Sequence, residues 1–135
     1  DVASALAEAD LVVARAGAGS VAELTAIGRA AILVPFPHAA DDHQARNARA
    51  LERAGGAVCV RQEAADSSRL AREIERLLAD DGARTAMADA SRACGKPSAS
   101  RDVALDLLGL ARVELRARSA TNGTSQGPHP VQEAR

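Results

Sequence analysis

Residues 11–23 read LVVARAGAGSVAE and contain the clearest fold signal in the chain. The apolar run Leu11–Ala14 comes first, a loop with Gly17 and Gly19 follows, and a helical pattern begins at Ser20. A continuous apolar run is typical of a parallel strand that is buried on both faces. Glycines between a strand and a helix allow a sharp turn of the backbone. This stretch therefore predicts the strand–loop–helix unit of an α/β fold.

The same alternation continues through the first half of the chain. The next helices and strands are predicted, in chain order, at Ser20–Ile27, Ala31–Val34, Asp42–Ala54 and Ala57–Val60. Gly28 and the pair Gly55 and Gly56 follow the two helices, where glycine commonly ends a helix. Two successive βαβ units predict a parallel sheet with right-handed crossovers. The predicted fold class is therefore α/β, of a partial Rossmann-like type with further helices after the sheet.

The pattern beyond Val60 is helical only. The first of these helices is amphipathic, because its apolar residues recur at helical spacing: Leu70, Ile74, Leu77 and Leu78. Two more helices are predicted over residues 83–93 and 103–115. From residue 116 the chain is polar and rich in residues that break helices and strands, which predicts a disordered tail over residues 116–135. The sequence thus predicts one domain over residues 1–115.

The composition excludes several classes of function. The formal net charge is −1, and Phe36 is the only Phe, Tyr or Trp residue. Nucleic acid is therefore not an expected partner, since there is neither a basic cluster nor a set of rings on which bases could stack. No apolar run approaches the roughly 20 residues that span a bilayer. Cys59 and Cys94 lie outside any metal-binding motif, so we expect two buried free thiols.

The first candidate site is the loop and helix start at residues 15–23. In open α/β sheets, ligands bind beyond the carboxyl ends of the strands, where this loop lies. Free N–H groups and the positive end of the helix dipole favour an anion such as a phosphate. Ser20 and Glu23 have the spacing of a capping box, in which Glu23 would only stabilise the helix. Alternatively, Glu23 accepts hydrogen bonds from the two hydroxyls of a ribose, and the sequence leaves both roles open.

The second candidate site is residues 35–48, which read PFPHAADDHQARNA and follow the second predicted strand. Asp41 and Gln44 again have capping-box spacing. The histidines and aspartates of this loop lack the spacing of a zinc site, so no metal is predicted. Gln44 and Asn47 at a helix start suit hydrogen bonding to a neutral polyol such as a sugar. Neither an activated serine nor an isolated pair of carboxylates is present, so the residues favour binding over complete catalysis.

Taken together, the two motifs resemble one family. The runs ADLVV, RAGA and SVAEL within residues 9–24, with AILVP and HAADDHQ within residues 31–44, carry the resemblance, and Asn47 and Ala48 extend it. They are similar to the undecaprenyl-diphospho-muramoylpentapeptide β-N-acetylglucosaminyltransferases of glycosyltransferase family 28. The resemblance covers about residues 1–112, and the tail lies outside it.

The resemblance implies a GT-B fold, in which two Rossmann-like domains enclose the active site, and UDP-N-acetylglucosamine (UDP-GlcNAc) as the donor. By position, the diphosphate and ribose would lie along Ala18, Gly19, Ser20, Val21 and Ala22. Glu23 would bind the ribose hydroxyls, and Gln44 would hold the N-acetylglucosamine, with His43 as its neighbour. The implied reaction is an inverting transfer, without a metal or other cofactor, to the 4-hydroxyl of the muramoyl sugar of lipid I. The product would be lipid II, for peptidoglycan synthesis.

The resemblance also implies parts that this chain does not contain. The N-terminal domain would bind lipid I, supply the general base and carry the surface that faces the membrane. A Gly-Gly-Ser loop and much of the uracil pocket would also precede Asp1. The chain would therefore be the donor-binding part of a peripheral enzyme at the cytoplasmic face of the cell membrane, with no catalytic residue of its own. In one departure from the family, Ala30 stands where proline is usual.

Two alternatives to this assignment remain at the level of sequence. One is a free-standing UDP-GlcNAc-binding subunit of a split glycosyltransferase, which would need a membrane partner. A natural subunit of that kind is expected to keep its first phosphate loop, which argues against it. The other alternative is a different GT-B enzyme, such as a glycolipid synthase or an antibiotic glycosyltransferase, and the motif over residues 38–47 argues against that.

Overall fold

The computed structural model describes residues 1–122 of the chain, and the side chains of residues 1–39 and 41–111. Its helices are α1 (Val2–Glu8), α2 (Ala18–Ile27), α3 (His43–Arg53), α4 (Ser67–Ala79), α5 (Asp81–Ala93) and α6 (Ala99–Asn122). Its strands are β1 (Val12–Ala14), β2 (Ala31–Leu33) and β3 (Val58–Cys59), and short 3-10 turns cover Ala40–Asp42 and Gln62–Ala64. The chain divides into two compact units, residues 1–97 and the segment from Ser98 onward.

The three strands form a parallel sheet in the order β1-β2-β3. Val13 is the register partner of Ile32, which is itself the partner of Val58. Parallel neighbours require crossover connections, and α2 and α3 supply them. The α/β prediction is therefore confirmed, as are both βαβ units. Each predicted strand is one or two residues longer than the observed one.

Helices cover both faces of the sheet. Because side chains alternate along a strand, Leu33 and Ile32 point to opposite faces. Leu33 packs with α2 and α3 in a cluster whose other buried members are Ala16, Leu24, Ala31, Ala48, Leu51 and Ala57. Ile32 packs in a second cluster with Val60 and Leu77 of α4, and partly buried Met87 of α5 lies against it. The residues of β2 are buried on both faces, as a continuous apolar run predicts. The same prediction is wrong for β1, because Val13 is 48% exposed.

Glycines end the two crossover helices, as the sequence predicts. Gly28 ends α2 with a left-handed backbone, at φ 72°, and its N–H donates to Leu24 O at 2.8 Å. After α3, Gly55 takes φ 80°, and Gly56 N–H donates to Leu51 O at 2.9 Å. These bonds satisfy carbonyls that a helix end leaves unpaired. The chain can then return directly to the sheet for the next strand.

Both predicted capping boxes are wrong. Helix α2 begins at Ala18 with Gly17 as its N-cap, so Ser20 lies inside the first turn. The N-cap of α3 is Asp42, and its side chain makes no capping hydrogen bond. Spacing alone fails here because the helix starts differ from the expected positions by one to three residues, and a cap works only at the start itself.

The prediction of two buried thiols also needs correction, and the apolar stripe of α4 is only partly buried. Cys94 is exposed and Cys59 is only half-buried, so the prediction of two buried thiols is wrong. Cys94 follows the last residue of α5, where the chain leaves the core. In α4, Leu77 is fully buried but Leu78 is 49% exposed, because Leu78 lies at the margin of the apolar stripe.

The second unit is described here by helix α6 alone. It begins before the predicted residue 103 and continues through residues 116–122, which the sequence assigns to the tail. Val103, Leu107 and Leu110 are exposed on it. The rest of the predicted disordered tail, residues 123–135, lies outside the described residues. Over residues 1–122, no helix is both long and apolar enough to cross a membrane.

Candidate functional site

The candidate site lies at the carboxyl edge of the sheet. Three segments leave the strands at this edge: residues 15–17 after β1, 34–42 after β2, and 60–66 after β3. The first leads into α2, which carries Ala18 to Glu23, and the second leads into α3, which begins with His43 and Gln44. The parallel sheet therefore brings the starts of both predicted site helices to the same edge, where α/β domains bind ligands.

The start of α2 has no side-chain cap. Its first helical hydrogen bond runs from Val21 N–H to Gly17 O at 3.0 Å. The N–H groups of Ala18, Gly19 and Ser20 precede that bond and have no partner within the helix. A Cβ placed on Gly17 or Gly19 would meet no atom within 4 Å, so protein packing does not require glycine at either position. The helix start is thus open to an anion.

The remaining predicted residues of α2 divide between core and surface. The Val21 side chain is partly buried against the core cluster of α2 and α3, and its N–H donates to Gly17 O. The Ala22 and Glu23 side chains are exposed. Since the capping box does not form, the structural role that the sequence offered for Glu23 no longer applies.

The loop before α3 is held in an uncommon backbone conformation. Asp41 and Asp42 take φ angles of 52° and 54°, which lie in the left-handed region that residues other than glycine rarely occupy. His43 is exposed, and Gln44 is half-buried. Gln44 Oε1 accepts a hydrogen bond from Phe36 N–H at 3.0 Å. Because the carbonyl oxygen of the side chain is used in this way, its NH₂ group is the part left to donate to a ligand.

Asn47 joins the two predicted segments directly. Its Nδ2 donates to Ala16 O at 3.1 Å, across the core between α3 and the loop after β1. The hydrogen bond is part-buried, which shields it from competing water. Asn47 therefore holds the start of α3 against the loop that leads into α2.

Arg15 connects the loops after all three strands. Its Nη1 donates to Val34 O at 3.2 Å, to Pro35 O at 3.5 Å and to Gln62 Oε1 at 2.6 Å. The guanidinium carbon lies 5.6 Å from the centroid of the Phe36 ring, within the range of a cation–π contact. The Phe36 ring in turn meets the His38 ring edge-on at 5.7 Å.

The third loop contributes Gln62, which the sequence analysis missed. The available signal was its position three residues after β3, at the same edge as the two recognised motifs. Beside it, Arg61 Nε lies 3.5 Å from Glu63 Oε2, and both side chains are exposed. A hydrogen bond from its own backbone N–H is the main factor that lowers the pKa of Glu63, and the Arg61 charge adds to it.

Two further features lie near the predicted residues. An open groove of about 340 Å³ borders β1 and α4, and Arg15, Val34 and Gln62 are among its lining residues, whereas none of residues 18–23, 43 or 44 lines it. Burial raises the pKa of the Cys59 thiol, and the nearby Glu52 carboxylate raises it further. Within the described part of the chain, no three His, Cys, Asp or Glu side chains are grouped so as to hold a metal ion.

Fold and site together define the class of protein. Three parallel strands covered by helices on both faces, with an open helix start at the carboxyl edge, describe an α/β domain suited to an anionic ligand such as a nucleotide. The profile of the glycosyltransferase family 28 C-terminal domain matches residues 1–104. The chain belongs to this family.

Individual relatives agree with this assignment. A protein of Sorangium cellulosum, named UDP-N-acetylglucosamine–N-acetylmuramyl-(pentapeptide) pyrophosphoryl-undecaprenol N-acetylglucosamine transferase, is 56% identical over 112 residues, which cover 83% of this chain and 28% of that protein. One of the same name from Erythrobacter litoralis is 41% identical over 98% of this chain and 36% of its own length. The crystal structure of MurG from Acinetobacter baumannii matches with a TM-score of 0.71 and 37% identity, over 79% of this chain and 30% of that chain.

These alignments also set the scope of the assignment. The chain spans 28% and 36% of the two curated relatives. The matched region thus corresponds to about a third of each of these transferases.

Proposed function

We propose that this domain binds UDP-GlcNAc as the donor for the transfer of N-acetylglucosamine to lipid I, which yields lipid II. The acceptor site, the general base and the membrane contact are assigned to the rest of the enzyme, and no catalytic residue to this chain. The enzyme would act as a peripheral protein on the cytoplasmic face of the membrane. The family assignment and the names of the relatives support the reaction class.

The observation that carries this proposal is the pair of open donor groups at the carboxyl edge. The uncapped start of α2 offers N–H groups to a diphosphate, and the helix dipole favours the negative charge that builds up on departing UDP. Gln44, fixed by Phe36 N–H, offers an NH₂ group on the neighbouring helix. The diphosphate is assigned to Ala18–Ala22, and the sugar to Gln44 with His43 beside it.

Glu23 is assigned to the ribose. Its carboxylate is exposed on α2, and a carboxylate can accept hydrogen bonds from both ribose hydroxyls. As an anion it would repel a diphosphate placed beside it, so the nucleotide would lie with its phosphates at the helix start and its ribose farther along the helix.

The test is a titration of the isotope-labelled chain with UDP-GlcNAc and with UDP, followed by NMR. We expect both ligands to shift the amide signals of residues 17–23, and only UDP-GlcNAc to shift the Gln44 side-chain signal. Gln44→Glu keeps the acceptor for Phe36 N–H but removes the donor. It should weaken UDP-GlcNAc binding about tenfold, the cost of one hydrogen bond to a buried partner.

UDP is the control ligand for this substitution. Gln44→Ala should leave UDP affinity nearly unchanged, and Gln44→Glu should lower it only through its added charge. Equal losses for UDP and UDP-GlcNAc in both variants would show that Gln44 does not contact the sugar. A chain that binds neither ligand would contradict the proposed function itself.

A further inference from the structure

We infer that Arg15 is a positioning residue: it fixes the position of the Gln44 side chain, which is proposed to bind the sugar, relative to the start of α2. This inference rests on the proposed function, since it concerns how the two parts of the donor site are held together. The described contacts of Arg15 are all with the protein: two backbone carbonyls, one side-chain amide and one ring.

The first step is the peptide unit between Pro35 and Phe36. Arg15 Nη1 donates to the carbonyl end of this unit at 3.5 Å, and to the preceding carbonyl, Val34 O, at 3.2 Å. The amide end of the same unit donates to Gln44 Oε1 at 3.0 Å. A peptide unit is planar, so the direction of its carbonyl fixes the direction of its N–H. Arg15 therefore orients the group that orients Gln44.

The second step is the anchor on the third loop. Gln62 Oε1 accepts from the same Nη1 at 2.6 Å, which is the shortest of the three Arg15 hydrogen bonds. Gln62 belongs to the 3-10 turn after β3, so Arg15 joins the loop after β1 to the loops after both other strands. The Phe36 ring, 5.6 Å from the guanidinium carbon, limits the positions that the Arg15 side chain can take.

The third step concerns the loop after β1, to which Arg15 belongs. Arg15 lies directly before Ala16, whose carbonyl accepts from Asn47 Nδ2 at 3.1 Å. The loop after β1 is thus fixed to α3 by Asn47 and to the β2 loop by Arg15. These two connections join the loop that leads into α2 to the segment that carries Gln44. A small displacement of the Gln44 side chain relative to the start of α2 would strongly weaken the binding of a ligand that contacts both.

The chemistry of the contacts explains why arginine is needed. The three oxygens that accept from Arg15 are neutral, and none of the ion pairs among the described residues includes Arg15. Its role in these contacts is therefore geometric. All three hydrogen bonds come from one nitrogen, Nη1, and the planar guanidinium fixes the directions of its N–H groups while its carbon lies 5.6 Å from the centroid of the Phe36 ring. A lysine ammonium is instead a single point charge on a flexible stem. Lysine would keep the charge and lose the arrangement.

Charge attraction to the diphosphate is the competing explanation, and the two make different predictions. Charge attraction would strengthen the binding of UDP and of UDP-GlcNAc equally, and the Arg15→Lys variant would keep most of that affinity. Positioning through Gln44 affects the sugar nucleotide selectively, and lysine does not replace arginine. The quantity that separates the two explanations is the ratio of the Kd of UDP to the Kd of UDP-GlcNAc.

The experiment measures both Kd values by NMR titration of the 135-residue chain and its Arg15→Met, Arg15→Lys and Gln44→Ala variants, with the double variant of Arg15→Met and Gln44→Ala. Both Arg15 variants should weaken UDP-GlcNAc about tenfold, a loss comparable to that of one hydrogen bond. UDP affinity should stay within about twofold. In the Gln44→Ala background, Arg15→Met should raise the Kd of UDP-GlcNAc by less than about twofold more, because both changes remove the same interaction.

Arg72→Met is the matched control, since Arg72 is an exposed arginine of α4 far from the strand ends in sequence. It should leave both Kd values unchanged. Gln62→Leu is a second variant in case Arg15→Met does not fold. It removes the 2.6 Å acceptor from an exposed turn and should give a smaller loss in the same direction, confined to UDP-GlcNAc.

Three results would overturn the inference: equal losses for both ligands, recovery by Arg15→Lys, or full additivity of the Arg15 and Gln44 changes. If the unmodified chain prefers UDP-GlcNAc over UDP and the Arg15 variants keep that preference, only this inference fails. If the unmodified chain binds neither ligand, or binds both equally, the assignment of Gln44 to the sugar fails as well.

Discussion

The role of Glu23 depends on where helix α2 begins. The sequence places it three residues after Ser20, as in a capping box, but α2 begins at Ala18 and Gly17 is its N-cap. The carboxylate is therefore exposed on the second turn of the helix with no described hydrogen bond to Ser20. An exposed acidic group that stabilises nothing in the helix is available for a ligand hydroxyl.

Glu23→Ala should therefore weaken UDP-GlcNAc and UDP alike, by about 1–3 kcal/mol, because two ribose hydroxyls lose their acceptor. The free energy of unfolding should change by less than about 0.5 kcal/mol, as at other surface positions. Titration gives the first quantity and urea denaturation the second. Glu75→Ala, at an exposed glutamate of α4, is the matched control. Lower stability with unchanged affinity would restore the capping role.

The residues of the site were predictable only in part. Segments that follow parallel strands lie at the carboxyl edge of the sheet, and this rule predicts one common edge for the loop of residues 15–23, Gln44 and Asn47. The direction of each side chain was not predictable, because it depends on hydrogen bonds between distant segments. Gln44 meets Phe36 N–H, and Arg15 meets Gln62, 47 residues away. No local pattern encodes such a pair.

At the scale of elements, α5 approaches its neighbours unusually closely, and glycines permit this. A Cβ on Gly56 would lie 2.6 Å from Leu51 Cδ1 and 2.9 Å from Ser91 Cα. A Cβ on Gly95, just after α5, would overlap the Thr25 carbonyl of α2. Ser91, on the α5 side of the Gly56 contact, is fully buried. The close approach holds α5 against α2 and against the turn that leads into β3.

Gly56→Ala should lower the free energy of unfolding by about 1–3 kcal/mol, since the backbone of α5 must move to admit a methyl group. Gly82→Ala is the matched control. Its Cβ would lie 3.4 Å from Asp80 Oδ1, an ordinary contact, so stability should be unchanged or raised by up to about 1 kcal/mol. Denaturant unfolding of both variants is the measurement. Equal effects in the two would show that α5 has room to adjust.

The elements themselves were largely predictable. Continuous apolar runs identified all three strands, and Gly28 and Gly55 identified the ends of α2 and α3. The errors fall at helix starts and at exposed positions such as Leu78. Periodicity identifies the apolar stripe of a helix, whereas the exposure of a residue at its margin depends on which neighbour packs there.

At the scale of the whole molecule, the two core clusters draw only on the first unit. Their members lie between Leu6 and Met87, and the apolar side chains of α6 from Val103 to Leu110 are exposed. Because the described core clusters lie within residues 1–97, we expect this part of the chain to supply the main stabilising interactions of the first unit.

A chain that ends at Pro97 should therefore unfold cooperatively, with a midpoint within about 4 °C of that of the full chain, which corresponds to less than about 1 kcal/mol. It should also bind UDP-GlcNAc with the same affinity, because every residue assigned to the donor lies before residue 45. Calorimetry and titration check the two statements. Loss of the cooperative transition would show that the segment from Ser98 contributes to the core.

Phe36 has a practical consequence beyond its contact with Arg15. It is the only Phe, Tyr or Trp of the chain, and it lies in the proposed site. The protein is therefore almost transparent in the near ultraviolet, where uracil absorbs strongly. Bound nucleotide can be counted directly by its own absorbance after gel filtration or dialysis, without a label. Phe36 likewise gives the only phenyl ring signals in the NMR spectrum of the chain, so the protein contains its own spectroscopic probe at the place where the donor is expected.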